Sequence, residues 1–216
     1  SMKRAEVVRD YGGISAADRR ADRRRKLLAA GRQIWGESGL ADVTVRGVCS
    51  SAGLITRYFY EQFDGRDALL FAVIDEVRAQ LLQAMLVAGI GESGDLRDKL
   101  RAALTAFLNI VADDPHLHRI VASDVTGVPG LLEHRMQLLD MIVAAIIEQA
   151  PSVLGEQLPD PAVLRRGAVF MVGGVNQIIA EWLRAPSDAG TETVDELATA
   201  CADLCVAVVR RTVNSD

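Results

Sequence analysis

Six basic side chains lie close together near the start of the chain, between Arg19 and Lys26. Guanidinium and ammonium groups at this density can bind phosphate oxygens, which double-stranded DNA presents at regular spacing. If this segment begins a helix, its positive charges oppose the helix dipole, so local helix stability does not explain them. An external anion would explain them, although charge runs are also common on solvated helix faces.

The charge of the chain is divided unevenly. Its 216 residues are 50% hydrophobic and carry a formal charge of −5, which excludes a disordered chain and argues against binding nucleic acid over the whole surface. Residues 1–66 hold 13 Lys and Arg against 8 Asp and Glu, a net charge of +5, whereas residues 67–216 carry −10. A basic first third therefore lies within an acidic protein.

Two short predicted helices follow the basic segment. Thr44 is a suitable N-cap for a helix that reaches Ser51, and Gly53 supplies its C-terminal stop. A second short helix is predicted over 55–62. Two short helices about a glycine-containing turn have the proportions of a DNA-binding helix-turn-helix.

The second of these helices is rich in aromatic residues. Phe59 and Phe63 are spaced i, i+4 and can anchor one face against neighbouring helices. Thr56, Arg57 and Tyr60 then project from the other side. A buried aromatic face with hydrogen-bonding side chains opposite it is what a recognition helix requires.

The chain as a whole is predicted to be all-α, with about nine helices and no strand. Three parts are expected: a mobile arm over 1–18, a three-helix DNA-binding domain over 19–66, and a larger helical domain over 67–216. A long helix is predicted to begin at Asp67, followed by a helix over Leu96–Val111 and a short segment after Pro115. Another helix is predicted over Pro129–Gln149, which Ala150 and Pro151 terminate. The last two helices are predicted from Asp160 to Leu183 and from the capping box at Thr193 to about Thr212.

Residues 25–70 resemble the TetR (tetracycline-repressor-like) family of bacterial transcriptional regulators. The resemblance is carried by Leu28, Ala30, Ile34, Gly39, Thr44, Val45, Val48, Ala52–Leu54, Phe59, Tyr60, Phe63 and 64–69. It implies an all-helical ligand-binding domain and a homodimer formed by the last two long helices. The chain departs from the family at Ile55, where a small polar residue is usual, and at Arg57, where glycine or proline is usual.

The resemblance also implies roles for residues that match the family's motif. Side chains expected at base edges are Arg46, Thr56, Arg57 and Tyr58. Side chains expected to bind phosphate are those of the basic segment and of the motif, namely Arg23, Arg24, Arg25, Thr44, Tyr60 and Arg66.

Two sets of residues are candidates in the larger domain, although apolar residues at helical spacing are more often simple core. The expected ligand pocket is formed by Met85, Phe107, Met136, Met141, Phe170, Asn176 and Gln177. The expected dimer interface is formed by Val169, Val172, Gly173, Ile179, Leu197, Cys201, Leu204 and Val208. With aromatic residues only 5% of the chain, an aliphatic ligand is favoured over a stacked ring.

Other site types are not predicted. His116, His118 and His134 match no zinc spacing, and Cys201 and Cys205 are expected to pack as small apolar residues, so no metal or cofactor is expected. No apolar run has the length of a membrane helix, no secretory leader is recognised, and the unpaired cysteines favour the cytoplasm.

The sequence therefore predicts a dimeric repressor that a small apolar effector releases from a pseudo-palindromic DNA operator. Two alternatives remain: a DNA-binding regulator without a ligand, and an all-helical enzyme. The enzyme is disfavoured because the chain contains no Gly-rich phosphate loop, no G-x-S-x-G elbow and no metal-spaced cluster.

Overall fold

The computed structural model describes residue 13, residues 15–185, residue 190 and residues 192–214. These residues form nine α-helices and two turns of 3₁₀ helix and contain no strand, which confirms the predicted all-α class. In chain order the α-helices are α1 (Ala16–Ser38), α2 (Val45–Ala52), α3 (Thr56–Tyr60), α4 (Arg66–Gly91), α5 (Leu96–Asp113), α6 (Pro115–Ala122), α7 (Leu131–Leu154), α8 (Pro161–Arg184) and α9 (Val194–Val213). The 3₁₀ turns are Leu40–Asp42 and Gly155–Gln157.

Helix α1 begins three residues before the predicted start at Arg19. Ser15 and Asp18 form a capping box, in which the Asp18 amide donates to the Ser15 hydroxyl at 3.0 Å and the Ser15 amide donates to the Asp18 carboxylate at 3.3 Å. These bonds satisfy two amides that a helix start leaves without partners. The predicted arm over 1–18 is therefore too long at its end, and its residues 1–12 and 14 lie outside the described residues.

Local signals set the bounds of the two short helices. The Thr44 hydroxyl caps α2 by accepting a hydrogen bond from the Gly47 amide at 3.0 Å, as predicted. Gly53 ends α2 with a φ of 67°, a conformation that glycine adopts at little cost. Helix α3 is shorter than predicted and covers only Thr56–Tyr60.

Helix α7 continues past the proline that was predicted to end it. Pro151 lies in the last turn, where its missing amide removes one helical hydrogen bond without stopping the helix. The helix ends at Leu154, and Gly155 follows with a φ of 55°. The predicted end at Gln149 is therefore wrong by more than a turn.

The same region is more apolar on average than its short uninterrupted runs indicate. Among the described residues, Leu131–Gln157 has the length and composition of a membrane-crossing helix, with a mean hydropathy of 1.5 over its most apolar window. Only 11% of that window is buried in the protein. Scattered polar residues interrupt the run in the sequence, which hid its overall apolarity.

A continuous apolar core joins the first three helices to α4 and α6. It contains Trp35 of α1, Phe59 of α3, Val73 of α4 and Leu117 of α6, all fully buried. The Trp35 indole Nε1 also donates to the hydroxyl of Ser123, just after α6, at 2.9 Å. A second core packs α5 against α8 and α9, and α5 also packs along α4.

Candidate DNA-binding surface and ligand cavity

Helix α3 is held in place by aromatic packing. Phe59 is fully buried and Phe63 is 5% exposed, and their ring centroids lie 5.5 Å apart. The residue that begins α3, Ile55, makes no side-chain cap and is 62% exposed. A helix of five residues without a cap depends on this anchor rather than on its own hydrogen bonds.

The opposite side of α3 is polar and exposed. Thr56, Arg57 and Tyr60 are all exposed there, and Arg46 is exposed on α2. The side chain of Arg57 is 80% exposed, and its Nε lies 3.3 Å from the Glu61 carboxylate. These four predicted DNA contacts are accessible to a groove.

Tyr58 is placed differently from its predicted position at base edges. Its half-buried ring lies beneath the guanidinium of Arg23, whose Cζ is 4.4 Å from the ring centroid. Arg23 also lies 3.6 Å from the Glu61 carboxylate, and Arg20 donates to the Glu61 carbonyl oxygen at 3.0 Å. Tyr58 and Arg23 thus join α1 to α3, and neither projects freely toward DNA.

The rest of the basic segment is divided between internal partners and solvent. The Arg24 guanidinium lies 4.7 Å from the Phe63 ring centroid. Arg25 and Lys26 form ion pairs with Asp22 at 2.6 and 3.1 Å, and the Lys26 hydrogen bond is the main cause of the lowered pKa of Asp22. Contacts within the protein therefore account for part of a charge cluster for which the sequence offered an external anion or a solvated helix face.

Arg66 does not occupy the position of a free phosphate clamp. Its Nε and Nη2 donate to the carbonyl oxygens of Val43 and Leu40 at 2.5 and 2.8 Å, and its Nη1 lies 3.6 Å from the Asp67 carboxylate. The guanidinium therefore ties the start of α4 to the loop before α2. Thr44, on that loop, has an exposed side chain whose hydroxyl is engaged in the α2 cap.

A cavity of about 450 Å³ lies between α4, α5, α7, α8 and α9. Its lining is almost entirely aliphatic, with Phe107 as the aromatic residue among the described lining residues. The polar lining residues are Lys99, Gln149, Ser152 and Asn176. This volume and composition are typical of small-molecule sites.

The structure brings only three of the seven predicted pocket residues together: Met85, Phe107 and Asn176 line the cavity. Met136, Met141, Phe170 and Gln177 lie outside it, and Phe170 is 69% exposed. Phe170 and Gln177 are each about 100° around α8 from a neighbour in sequence that does line the cavity, Met171 and Asn176. Knowing which helices are involved did not reveal which face was turned inward.

Sequence reasoning missed Lys99, although a signal was present. It belongs to the face of α5 that also carries Leu96, Leu100, Ala103 and Phe107, all of which line the cavity. A single lysine within an otherwise apolar helical face was the feature that could have identified it.

A family model described as "Bacterial regulatory proteins, tetR family" matches residues 27–73, which include α2, α3 and the first turns of α4. Residues 27–73 are therefore similar to the matching segment of TetR-family regulatory proteins. This confirms the resemblance inferred from the sequence motifs. The match extends beyond Arg66, the predicted end of the domain.

Solved structures of TetR-family regulators share the fold of nearly the whole chain. A transcriptional regulator from Rhodococcus sp. Rha1 is 19% identical, with 87% of this chain and 96% of that chain covered and a TM-score of 0.64. The TetR family repressor AlkX from Dietzia sp. strain DQ12-45-1b, implicated in biodegradation of n-alkanes, is 16% identical, with 87% and 97% covered and a TM-score of 0.60. The fatty acid degradation regulator FadR from Bacillus halodurans is 16% identical, with 89% and 98% covered and a TM-score of 0.58. The chain therefore has the fold of a TetR-family transcriptional regulator.

The residues predicted for a TetR-like dimer interface fall into two groups. Val169 and Leu204 are 50% and 56% exposed, Gly173 is also exposed, and Val208 is half-buried. The other four, namely Val172, Ile179, Leu197 and Cys201, are at most 8% exposed within the single chain, and the last three belong to the core between α5, α8 and α9. An apolar stripe on a sequence does not reveal whether its partner is another helix of the same chain, so these four are corrected to core residues.

The histidines contact three different parts of the TetR-like fold. The ring of His116 packs beside Gly36 of α1, His118 Nε2 lies 3.3 Å from the Leu183 carbonyl oxygen, and His134 Nε2 lies 2.6 Å from the Asp75 carboxylate. Within the described ranges, no three His, Cys, Asp or Glu side chains are grouped as metal ligands.

The three cysteines are buried and unpaired. Burial raises the pKa of the Cys205 thiol to about 11 and also raises the pKa of Cys201. Both thiols are therefore protonated near neutral pH, where a thiolate nucleophile or metal ligand would need to be deprotonated. Cys205 additionally lines the cavity.

Proposed function

We propose that the protein is a homodimeric, DNA-binding transcriptional repressor of the cytoplasm, not an enzyme, and that a small apolar effector releases it from a pseudo-palindromic operator. One observation supports this most directly. Helix α4 is tied by Arg66 to the loop before α2, and its last three turns line the cavity through Leu82, Met85, Leu86, Gly89 and Ile90. A single helix, about 39 Å long, therefore contacts both proposed sites.

DNA recognition is assigned to the exposed side chains of α2 and α3. Arg46, Thr56 and Arg57 are proposed to contact base edges, and an arginine can bind guanine through two parallel hydrogen bonds. Thr44 and Tyr60, with the exposed Arg24 and Arg25, are proposed to bind phosphates. The charge of +5 over residues 1–66 supports this assignment and implies a steep dependence of affinity on salt.

Dimerisation is assigned to the exposed apolar side chains of α8 and α9. Val169, Phe170 and Leu204 are each at least half exposed, which is costly in water for side chains of this size. Nothing lies within 4 Å of a Cβ built on Gly173, so another helix could approach closely there. Two copies would present their α3 helices to successive major grooves about 34–36 Å apart.

Release by an effector is assigned to the cavity and α4. Phe107 lines the cavity and also packs against the core that holds Phe59 of α3. A ligand that fits one spacing of α4 and α5 better than another would therefore bias the position of α3. Such coupling between sites is typically worth about 1–3 kcal/mol, or about 5–150-fold in DNA affinity.

The DNA-binding part is tested by selecting sites from a random pool of duplexes. The expected result is a pseudo-palindrome whose half-sites lie one helical turn apart, bound with an affinity that falls steeply with salt. No enrichment would refute DNA recognition. A single unrepeated half-site would refute the dimeric arrangement.

The dimer is tested separately by analytical ultracentrifugation of the wild type and Phe170→Arg. The wild type is expected to sediment as a dimer at micromolar concentration and the variant as a folded monomer. Met136→Arg is a matched control, because Met136 is also an exposed apolar residue but lies on α7. A stable wild-type monomer would refute the assignment.

The effector part is tested by thermal-shift screening of small apolar molecules, followed by titration into the protein–DNA complex. A molecule that stabilises the protein is expected to weaken DNA binding by about 5–150-fold. Stabilisation with unchanged DNA affinity would refute effector release and would favour a regulator without a ligand-controlled step.

A further inference from the structure

Three of the four polar residues of the cavity lie toward one end of it. Lys99, Gln149 and Ser152 belong to the first turn of α5 and the last two turns of α7. These turns lie at the end far from α3, because α7 starts with Leu131 in the core shared with Phe59. The near end of the cavity is formed by Leu82, Phe107 and Leu138, which are all apolar. The far end therefore carries Lys99 and two of the other three polar lining residues, and the remaining one is Asn176 of α8.

Lys99 is the charged residue among the described lining residues. Lys99 is half-buried, and its ammonium group donates a hydrogen bond to the carbonyl oxygen of Glu92 in the turn between α4 and α5. An ammonium group has three donors. Lys99 can therefore donate to an oxyanion in the cavity as well as to Glu92.

The apolar part of the cavity has the length of an alkyl chain. The Lys99 ammonium group reaches back to Glu92 in the turn before α5, so the first residue of α5, Leu96, marks its level in the cavity. Leu96 and Phe107 both line the cavity and are eleven positions apart, a rise of about 16 Å. An extended hydrocarbon with C–C bonds near 1.5 Å covers this distance with roughly a dozen carbons. The side chains along this path, including Leu100, Ala103 and Leu104, carry no polar group.

We infer that the cavity binds a straight-chain aliphatic acid of about twelve carbons, with its carboxylate at Lys99 and its tail at Phe107. Gln149 and Ser152 add hydrogen-bond donors at the carboxylate end. This inference specifies the effector of the proposed function and rests on that function for its regulatory meaning. Binding itself is independent of DNA and can be measured without it.

The test compares three probes of equal chain length by isothermal titration calorimetry on the full chain without DNA: dodecanoate, 1-dodecanol and dodecylamine, each below its micelle concentration. Dodecanoate is expected to bind the wild type at least about ten-fold more tightly than the alcohol, because hydrogen bonds to a charged group are the stronger ones. The amine is expected to bind most weakly. Equal affinities for the acid and the alcohol, or tighter binding of the amine, would overturn the inference.

Variants then assign the preference to one side chain. Lys99→Met is expected to abolish the advantage of the acid over the alcohol, whereas Lys26→Met, which removes a lysine on α1 that pairs with Asp22, is expected to retain it. Lys99→Arg keeps a cationic donor for both Glu92 and the ligand and is expected to preserve the preference. Retention of the full preference in Lys99→Met would overturn the inference.

Tail length is tested at the other end of the cavity. Leu138→Trp fills space beside Phe107, so it is expected to weaken dodecanoate at least about ten-fold while leaving octanoate within about two-fold of its wild-type affinity. Equal losses for both acids would overturn the assigned orientation. Thermal unfolding of every variant confirms that the protein is folded before its affinities are compared.

The two proposals fail in distinguishable ways. Dodecanoate that binds through Lys99 without changing DNA affinity would refute effector release and leave the ligand assignment standing. Release of DNA by a neutral apolar molecule, with no preference for the acid, would refute the ligand assignment and leave the proposed function standing.

Discussion

Gly36→Ala tests the contact between α1 and α6. A Cβ built on Gly36 lies 2.3 Å from His116 Cβ, 2.6 Å from its Cγ and 2.7 Å from its Cα. Carbon atoms in contact are ordinarily about 3.5–4.0 Å apart, so the added methyl group overlaps its neighbour by more than an ångström. Because His116 Cα belongs to the backbone, a change of rotamer cannot remove the overlap, and α1 and α6 must separate.

The size of the effect follows from two opposing contributions. Alanine is favoured over glycine within a helix by about 1 kcal/mol. Overpacking a core contact costs about 1–3 kcal/mol and more when backbone must move, and separation also strains the Trp35–Ser123 hydrogen bond and the bond from Arg119 to the Glu37 carbonyl oxygen. A net loss of about 2 kcal/mol is expected, which lowers Tm by about 4–8 °C.

The assay is thermal unfolding followed by circular dichroism, with DNA affinity measured on the folded variant. Gln33→Ala is the matched control on α1, because Gln33 is exposed and bonds only to Glu37 among the described residues. The control is expected to shift Tm by no more than about 2 °C. A Gly36→Ala protein as stable as the wild type would refute the close α1–α6 contact.

Three further predictions concern single side chains. Arg57→Ala is expected to change the base sequence selected from random DNA, whereas Tyr60→Phe, which removes only a hydroxyl, should weaken all sequences alike; identical motifs for Arg57→Ala and wild type would contradict this. Because burial raises the pKa of Cys205 to about 11, labelling of its thiol should be slow at pH 8 and accelerate toward pH 11. Mass spectrometry measures the labelling, with Cys205→Ser as the control. Rapid labelling of the folded protein at pH 8 would contradict the buried position of the thiol. Arg66→Met is expected to lower Tm by about 4–8 °C, because about 2 kcal/mol of bonding to two carbonyl oxygens is lost; an unchanged Tm with weakened DNA binding would instead identify a phosphate contact.

Local chemistry explains what the sequence predicted correctly. The cap at Thr44, the turn at Gly53 and the i, i+4 pair of Phe59 and Phe63 each depend on residues within a few positions of one another. Their physical signals are therefore present in the sequence itself. The helix-turn-helix and the all-α class followed from such signals.

The errors concern choices that only tertiary neighbours decide. An arginine at position 66 can either bind phosphate or hold two parts of the chain together. The positions of the Leu40 and Val43 carbonyl groups, more than twenty residues away in sequence, decide between these roles. Phe170 and Leu197 are both apolar residues of amphipathic helices, yet one is exposed and the other is buried. An apolar stripe on a helix indicates that this face packs against something. Whether that is another helix of the same chain or a second copy is decided by the tertiary fold.

The continuous core has a consequence for exchanging specificity between regulators of this fold. Leu117 and Ile120 of α6 are fully buried in the same core as Phe59, although they lie well outside the segment proposed to bind DNA. A chimera that took only residues 15–66 from another regulator would bring in a foreign surface for these side chains and would replace Trp35, leaving Ser123 without its indole donor. A DNA-binding segment exchanged between regulators must therefore bring its own α6 and the first half of α4. The exchangeable unit is thus discontinuous in the sequence.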